Sequence, residues 1–336
     1  MNANIYDVAK EAQVSIATVS RVLNNHPSVA PATRGKVLAA LEKLNYQPSE
    51  IARGLVTKKM QTVGVLTVDV RSPNYSVTAY TIERSLFLMG YNSILCNTFG
   101  GPAGSMKYVQ MLLEKGVSGI ICLGSVFDRS FNETNLLSEW NKVPFILTNY
   151  QADAENVCCV AIDEKTGMDL ALEHLVSQGR KNIIFVKDME TRSSAIKAAE
   201  FKSYLQSHQL PAGRASIGLT DRSLEGGAAA VDNILSTGAK FDAIIFNDDL
   251  TAVGGMKRLQ TLGYSVPEDV AVMGYNNTPF ARCCTPTLTT VDNMFETVGS
   301  LAVALLRDLM ESNKAAKTVS VVPKLVVRES TVSRGT

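Results

Sequence analysis

The sequence predicts an α/β protein in which a small helical unit precedes a larger body built on parallel sheets. From residue 62 onward, short apolar runs alternate with segments of helical periodicity, as in parallel sheets covered by helices. The first sixty residues instead contain three helical patterns and hold eight Lys or Arg against four acids, a net charge of +4. The remaining residues carry a net charge of −3. Basic charge is therefore concentrated in the first sixty residues, which we call the head, and it favours a polyanionic partner.

Composition excludes several classes of protein. A chain of 336 residues with 46% hydrophobic and 19% charged residues is neither a disordered chain nor a small protein stabilised mainly by disulfides. No apolar run reaches the ~18 residues of a spanning helix, and the N-terminus lacks an apolar signal segment, so we expect a cytoplasmic protein without membrane contact. The six cysteines include two vicinal pairs but no Cys-x-x-Cys spacing, and we predict no metal and no cofactor.

The head reads as three short helices. Residues 5–12 form the first amphipathic pattern, and Ser15 is a suitable N-cap for a second helix over 16–24. A third helix follows from about 32 to 45. The predicted inward-facing residues of the second and third helices are Val19, Val22, Leu23, Val37, Leu38, Leu41 and Leu44. Two short helices joined by a three-residue turn match the helix-turn-helix unit, which places its second helix in the DNA major groove.

The second helix carries side chains suited to DNA. Its hydroxyl donors can reach phosphate oxygens, and Arg21 can reach a phosphate or a guanine edge; these hydroxyls belong to Ser15, Thr18 and Ser20. Ile16 and Ala17 are best placed to meet base edges, where they would contact methyl groups. Alternatively, the hydroxyls only cap helices and Ile16 belongs to the core.

These segments resemble the headpiece of the lactose/galactose-repressor (LacI/GalR) family. The resemblance rests on residues 5–10, 14–15, 18–24, 33–34, 37–38, 44–46 and 48. It implies that Tyr6, Asn24 and Thr33 also contact DNA. Gln13 departs from the family, which usually has glycine there, and glutamine would be strained by roughly 1 kcal/mol if its φ is positive.

The resemblance divides the chain into a headpiece (1–47), a hinge (48–61) and an effector-binding and dimerisation domain (62–336). In the family, the hinge helix folds when two copies meet on the operator, and it inserts a leucine into the minor groove. This implies that Leu55 is the wedge and that Ala52 lies against the duplex. A plain flexible linker is the alternative.

The body resembles the family as well, over residues 243–255, 266–270, 273–275, 288–291 and 325–328. The resemblance implies a two-lobed type I periplasmic-binding-protein-like fold and a homodimer that binds a pseudo-palindromic operator. Lobe one would comprise about 62–161 and 290–322, and lobe two about 162–289 and 323–330. The chain would cross between lobes near Ala161, Leu288 and Val322, and a small sugar-like effector would bind between the lobes.

The family's effector residues correspond to six positions here: Tyr75, Asn149, Lys197, Asp221, Asn247 and Asn276. Relatives that bind sugars have aspartate at position 276 and arginine at position 197. Loss of the aspartate while a cation stays would make this corner positive, so we expect an acidic or phosphorylated effector. Alternatively, Lys197 pairs with Glu200 and the charge cancels.

Other function classes fit the sequence less well. No G-x-G-x-x-G, P-loop or G-x-S-x-G motif is present, and we predict no enzyme and no catalytic residue. A pure solute-binding protein would lack the basic head. Control by a phosphorylated carrier protein docking on lobe one stays open.

Overall fold

The computed structural model describes residues 3–23, 26–46, 61–99, 102–124, 127, 143–150, 156–211, 217–312 and 318–332, which form two compact units. The N-terminal unit contains α1 (Ile5–Glu11), α2 (Ile16–Leu23) and α3 (Pro31–Lys43). These confirm the three predicted helices. The described residues do not include Asn24. They also do not include the predicted hinge up to residue 60, to which Ala52 and Leu55 belong.

The three helices of this unit share a small core. Val8, Val19 and Val37 are completely buried between them. Leu38 was predicted to face inward, and this is wrong, because α3 turns Val37 and Ala40 toward the core and leaves Leu38 53% exposed. Gln13, in the turn between α1 and α2, has a φ of +54°, so it adopts the left-handed conformation that glycine accepts more easily.

The described residues of the body form two six-stranded sheets. The first has the strand order β11-β5-β4-β3-β1-β2, and all neighbours are parallel. Its strands are β1 (Thr62–Thr67), β2 (Asn92–Asn97), β3 (Gly119–Leu123), β4 (Phe145–Thr148), β5 (Val157–Ile162) and β11 (Thr318–Val321). Helices α4 (Pro73–Leu88) and α10 (Phe295–Ser312) pack on one face, and α5 (Pro102–Glu114) packs on the other. This sheet and its helices form lobe one.

Lobe two repeats the architecture with the strand order β12-β10-β9-β8-β6-β7. Its strands are β6 (Ile183–Lys187), β7 (Ile217–Leu219), β8 (Ala243–Phe246), β9 (Ala271–Tyr275), β10 (Thr289–Asp292) and β12 (Lys324–Val326). The pair β10–β12 is antiparallel and the others are parallel. The covering helices are α6 (Glu164–Ser177), α7 (Arg192–Ser207), α8 (Leu224–Ser236) and α9 (Asp249–Thr261).

In the part of the body that the structure describes, the chain passes between the lobes three times. The first passage follows β5 and the third separates β11 from β12 at Val322, close to the predicted places. The second differs from the prediction at Leu288, because β10 pairs with β9 in lobe two and the chain leaves that lobe only at Asn293. Residues 290–292 therefore belong to lobe two.

None of the helices in the described part of the chain combines the length and the apolar content that crossing a bilayer requires.

Candidate functional site

The N-terminal unit exposes one face of α2. Ile16 is 39% exposed and Ala17 and Arg21 are also exposed, whereas Val19 and Val22 point into the core. The alternative that Ile16 belongs to the core is therefore wrong. On α1, the Tyr6 side chain is 68% exposed. An apolar side chain held in solvent at the start of a helix is available for contact with a partner surface.

Hydroxyl groups surround the start of the same helix. Ser15 Oγ accepts a hydrogen bond from the Thr18 amide at 3.2 Å and lies 2.9 Å from Thr18 Oγ1, so Ser15 caps α2 as predicted. Ser15 is exposed, while Thr18, Ser20 and Thr33 are half-buried. The capping role and a contact with phosphate are compatible, because a hydroxyl both donates and accepts.

In the body, a cavity opens between the two lobes. It lies at the carboxyl ends of parallel strands, where ligands of open α/β sheets bind. Asn149 follows β4, Asn247 follows β8, and Asn276 follows β9. Because Asn293 in the connecting segment also lines the cavity, its walls belong to both lobes and to the passage between them.

Five of the six predicted effector residues line this cavity: Tyr75, Asn149, Lys197, Asn247 and Asn276. Asp221 does not; it is exposed and lines a separate surface groove, and the neighbouring Arg222 faces the cavity instead. Sequence reasoning also missed Glu164 and Asn293. Arg222 is the next residue after Asp221, and both come shortly after β7, a strand of only three residues. The prediction was therefore displaced by one residue.

Lys197 lines the cavity, and its ammonium group is already engaged by side chains of lobe two. Its side chain is 3% exposed, and Nζ donates to Asn247 Oδ1 at 2.9 Å. The same Nζ lies 3.3 Å from Glu164 Oε2 and 4.1 Å from the centroid of the Tyr275 ring. The predicted Lys197–Glu200 pair is wrong, because Glu200 instead lies 3.4 Å from Lys165.

Arg222 is the second cation of the cavity and is also paired. Its Nε donates to the fully buried carboxylate of Asp188, which also accepts from Asn247 Nδ2 at 2.5 Å. Burial alone would raise the pKa of Asp188, but the adjacent Arg222 and Asn247 hold it below its usual range. Each cation thus has its own carboxylate, so pairing with Glu164 and with the buried Asp188 neutralises the surplus of positive charge expected from the sequence.

The asparagines at the strand ends serve the backbone and the cavity together. Asn149 and Asn276 have φ values of +58° and +94°, a conformation that asparagine accepts better than most residues. Asn276 Nδ2 donates to Asp248 Oδ2, and Asn293 Nδ2 donates to Asn276 Oδ1, both at 2.9 Å. These bonds join lobe two to the segment that leads back to lobe one.

Three buried acceptor atoms in the lining receive no hydrogen bond from the described residues: Asn149 Oδ1, Glu164 Oε2 and Asn293 Oδ1. Burial raises the pKa of Tyr75, so its hydroxyl stays protonated and can donate. Tyr75, Phe295 and Val298 add an apolar wall. Polar groups beside an apolar wall suit a small ligand that carries hydroxyls on an apolar skeleton.

Within the described ranges, no group of three or more His, Cys, Asp or Glu side chains is arranged to hold a metal ion.

Comparison with known proteins agrees with both parts of this description. Residues 4–49 match the family of bacterial regulatory proteins, lacI family, and residues 172–331 match a periplasmic binding protein-like domain. Catabolite control protein A of Priestia megaterium is 34% identical over 98% of this chain and 100% of its own length.

Two solved structures illustrate the likeness. A Lac repressor dimer bound to operator and the anti-inducer ONPF shares 26% identity, with a TM-score of 0.85 over 99% of this chain and 100% of that one. A regulator from Enterococcus faecium with bound ribose shares 28% identity, with a TM-score of 0.69 over 80% and 98% of the two chains.

Proposed function

Because the chain belongs to the LacI family of DNA-binding transcriptional repressors, we propose that its α2 reads operator DNA and that an effector between its lobes controls this binding. The observation that carries the proposal is the cavity whose walls come from both lobes and from the passage at Asn293. A ligand there contacts both lobes, so it favours the lobe arrangement that fits it best. We also propose that the genes this protein represses belong to carbohydrate metabolism.

On the DNA side, Ile16 and Ala17 contact base edges in the major groove. The positioning contacts to phosphates come from Tyr6, Ser15, Thr18, Ser20, Arg21 and Thr33. For three further residues, only the family resemblance supports the proposed DNA contact: Asn24, Ala52 and Leu55. A homodimer offers two such heads, which suits the two half-sites of a pseudo-palindrome.

On the effector side, we assign to the binding site Tyr75, Asn149, Lys197, Asn247 and Asn276. We also assign Arg222 to it, and we leave out its neighbour Asp221, which does not line the cavity. The working compartment is the cytoplasm, where operator DNA and metabolites are both present. No catalytic step is assigned to any residue.

The test is binding of the full chain to DNA fragments from its own promoter region, with and without metabolites. We expect binding at low salt that weakens by about 10³-fold or more between ~50 and ~200 mM salt, since several phosphate contacts release counterions. We also expect at least one metabolite to change the affinity. A chain that binds none of the fragments at low salt contradicts the proposal.

A further inference from the structure

We propose that Glu164 is a specificity-determining side chain of the effector cavity, which selects an uncharged, polyhydroxylated ligand over its phosphorylated or acidic counterparts. This inference rests on the proposed function and names the ligand class of the same site. It also reverses the expectation of an acidic effector.

The position of Glu164 supports this role. It is the first residue of α6, and its side chain is 5% exposed. Oε1 accepts a hydrogen bond from Ser193 Oγ at 2.5 Å, which orients the carboxylate. Oε2 lies beside Lys197 Nζ but accepts no hydrogen bond from the residues described. Glu164 lines both the main cavity and an adjoining pocket, so Oε2, which is ion-paired with Lys197 but accepts no hydrogen bond, can accept one from a ligand there.

Two other acceptors extend the pattern. Asn149 Oδ1 stands at the end of a lobe-one strand, and Asn293 Oδ1 stands in the passage between lobes. Together with Glu164 they place unfilled acceptors on three separate segments. Buried acceptors are costly when they stay unfilled, so a matching ligand donates hydrogen bonds in several directions. Sugar and polyol hydroxyls do this.

An anionic ligand fits the same lining poorly. A phosphate dianion has acceptor oxygens and no proton to donate, and it would face the Glu164 carboxylate. The cations that could compensate are engaged, Lys197 by Glu164 and Asn247, and Arg222 by Asp188. A hydroxyl donor, in contrast, completes the hydrogen bonding of Glu164 without disturbing either ion pair.

The test uses calorimetry on the full chain with matched pairs of probes: ribose and ribose 5-phosphate, glucose and glucose 6-phosphate, glucose and gluconate, and cellobiose alone. At least one neutral sugar should bind more than about tenfold tighter than its charged counterpart. A charged member that binds equally or more tightly overturns the inference, as does failure of every neutral sugar to bind. Operator binding without sugar, measured on the same samples, separates this failure from failure of the proposed function.

Two variants test the assignment to Glu164. Glu164→Gln should weaken the best neutral sugar by about tenfold and reduce its preference over the charged counterpart, because a neutral amide accepts less strongly than a carboxylate. The matched control is Glu190→Gln, which also removes one acid from lobe two. Glu190 is 61% exposed, lies outside the cavity lining and pairs with Lys187, so its variant should bind like wild type.

If Glu164→Gln fails to fold, the double variant Glu164→Gln with Lys197→Met keeps the buried pair neutral and should show the same loss of preference. Wild-type affinity and preference in a folded Glu164→Gln or double variant overturn the assignment.

Discussion

Replacing Lys197 with methionine tests the buried charge network most directly. Methionine has a similar length and keeps the apolar stem, but it removes the cation that lies 3.3 Å from Glu164 and 2.9 Å from Asn247. The Glu164 side chain is 5% exposed, so the variant leaves a buried carboxylate without its ion-pair partner. Breaking one side of a buried pair costs about 3–5 kcal/mol, and we expect a loss of that size in the free energy of unfolding.

The assay is equilibrium urea unfolding of the full chain, followed by circular dichroism. Lys165→Met is the matched control, since the Lys165 side chain is 64% exposed and its pair with Glu200 is worth less than about 1 kcal/mol. The double variant Lys197→Met with Glu164→Gln should recover most of the loss, because no unpaired charge remains in that pair. The reasoning is refuted if Lys197→Met costs no more than Lys165→Met, or if the costs of the two substitutions simply add.

Three further predictions concern other parts of the chain. Gln13→Gly should stabilise the N-terminal unit by up to about 1 kcal/mol, because the φ of +54° strains glutamine; calorimetric unfolding measures this, and a lower melting temperature would contradict it. Exchanging Ile16 and Ala17 should change base preference more than non-specific affinity, as measured by binding to operator and scrambled DNA; equal weakening on all sequences would refute base contact. Burial raises the pKa of Asp249 from 3.8 to about 7, so the folded state binds the proton more tightly than the unfolded state. Its contribution to stability is therefore largest below about pH 4 and declines by roughly 1 kcal/mol per unit as the pH rises to about 7. Unfolding of wild type and Asp249→Asn across this range checks it, and an equal pH dependence in both would contradict the assignment.

Much of the fold could be predicted because each element has a strong local pattern. The β-branched run at the start of β1 and the apolar run of β3 form fully buried strands, and in the described part of the body helices alternate with strands as predicted. The short strands β7, β10, β11 and β12 were not predicted, since each contains glycine or a polar residue and so lacks the continuous apolar run that marks the equally short β8. The passage at Asn293 was misplaced for the same reason, because it depends on β10 joining the second sheet.

Sheet topology predicts only the site residues that directly follow a strand, whereas the family resemblance predicted Tyr75 and Lys197, which lie in helices. Asn247 and Asn276 come directly after β8 and β9, so their place at the cavity follows from sheet topology. The Glu164–Lys197 pair joins the first turn of α6 to α7, and only tertiary packing brings these residues together. Sequence spacing allowed Glu200 as an alternative partner of Lys197, but the fold turns Glu200 toward Lys165.

The order of elements along the chain has a consequence for biosynthesis. Lobe one needs α10 and the edge strand β11, and lobe two needs the edge strand β12, all of which lie beyond residue 294. A nascent chain that has emerged only through residue 162 therefore lacks a helix and a strand of lobe one, although five of its strands are present. The two lobes therefore become complete nearly together, once β12 has been synthesised, whereas all three helices of the N-terminal unit are available much earlier and can fold first.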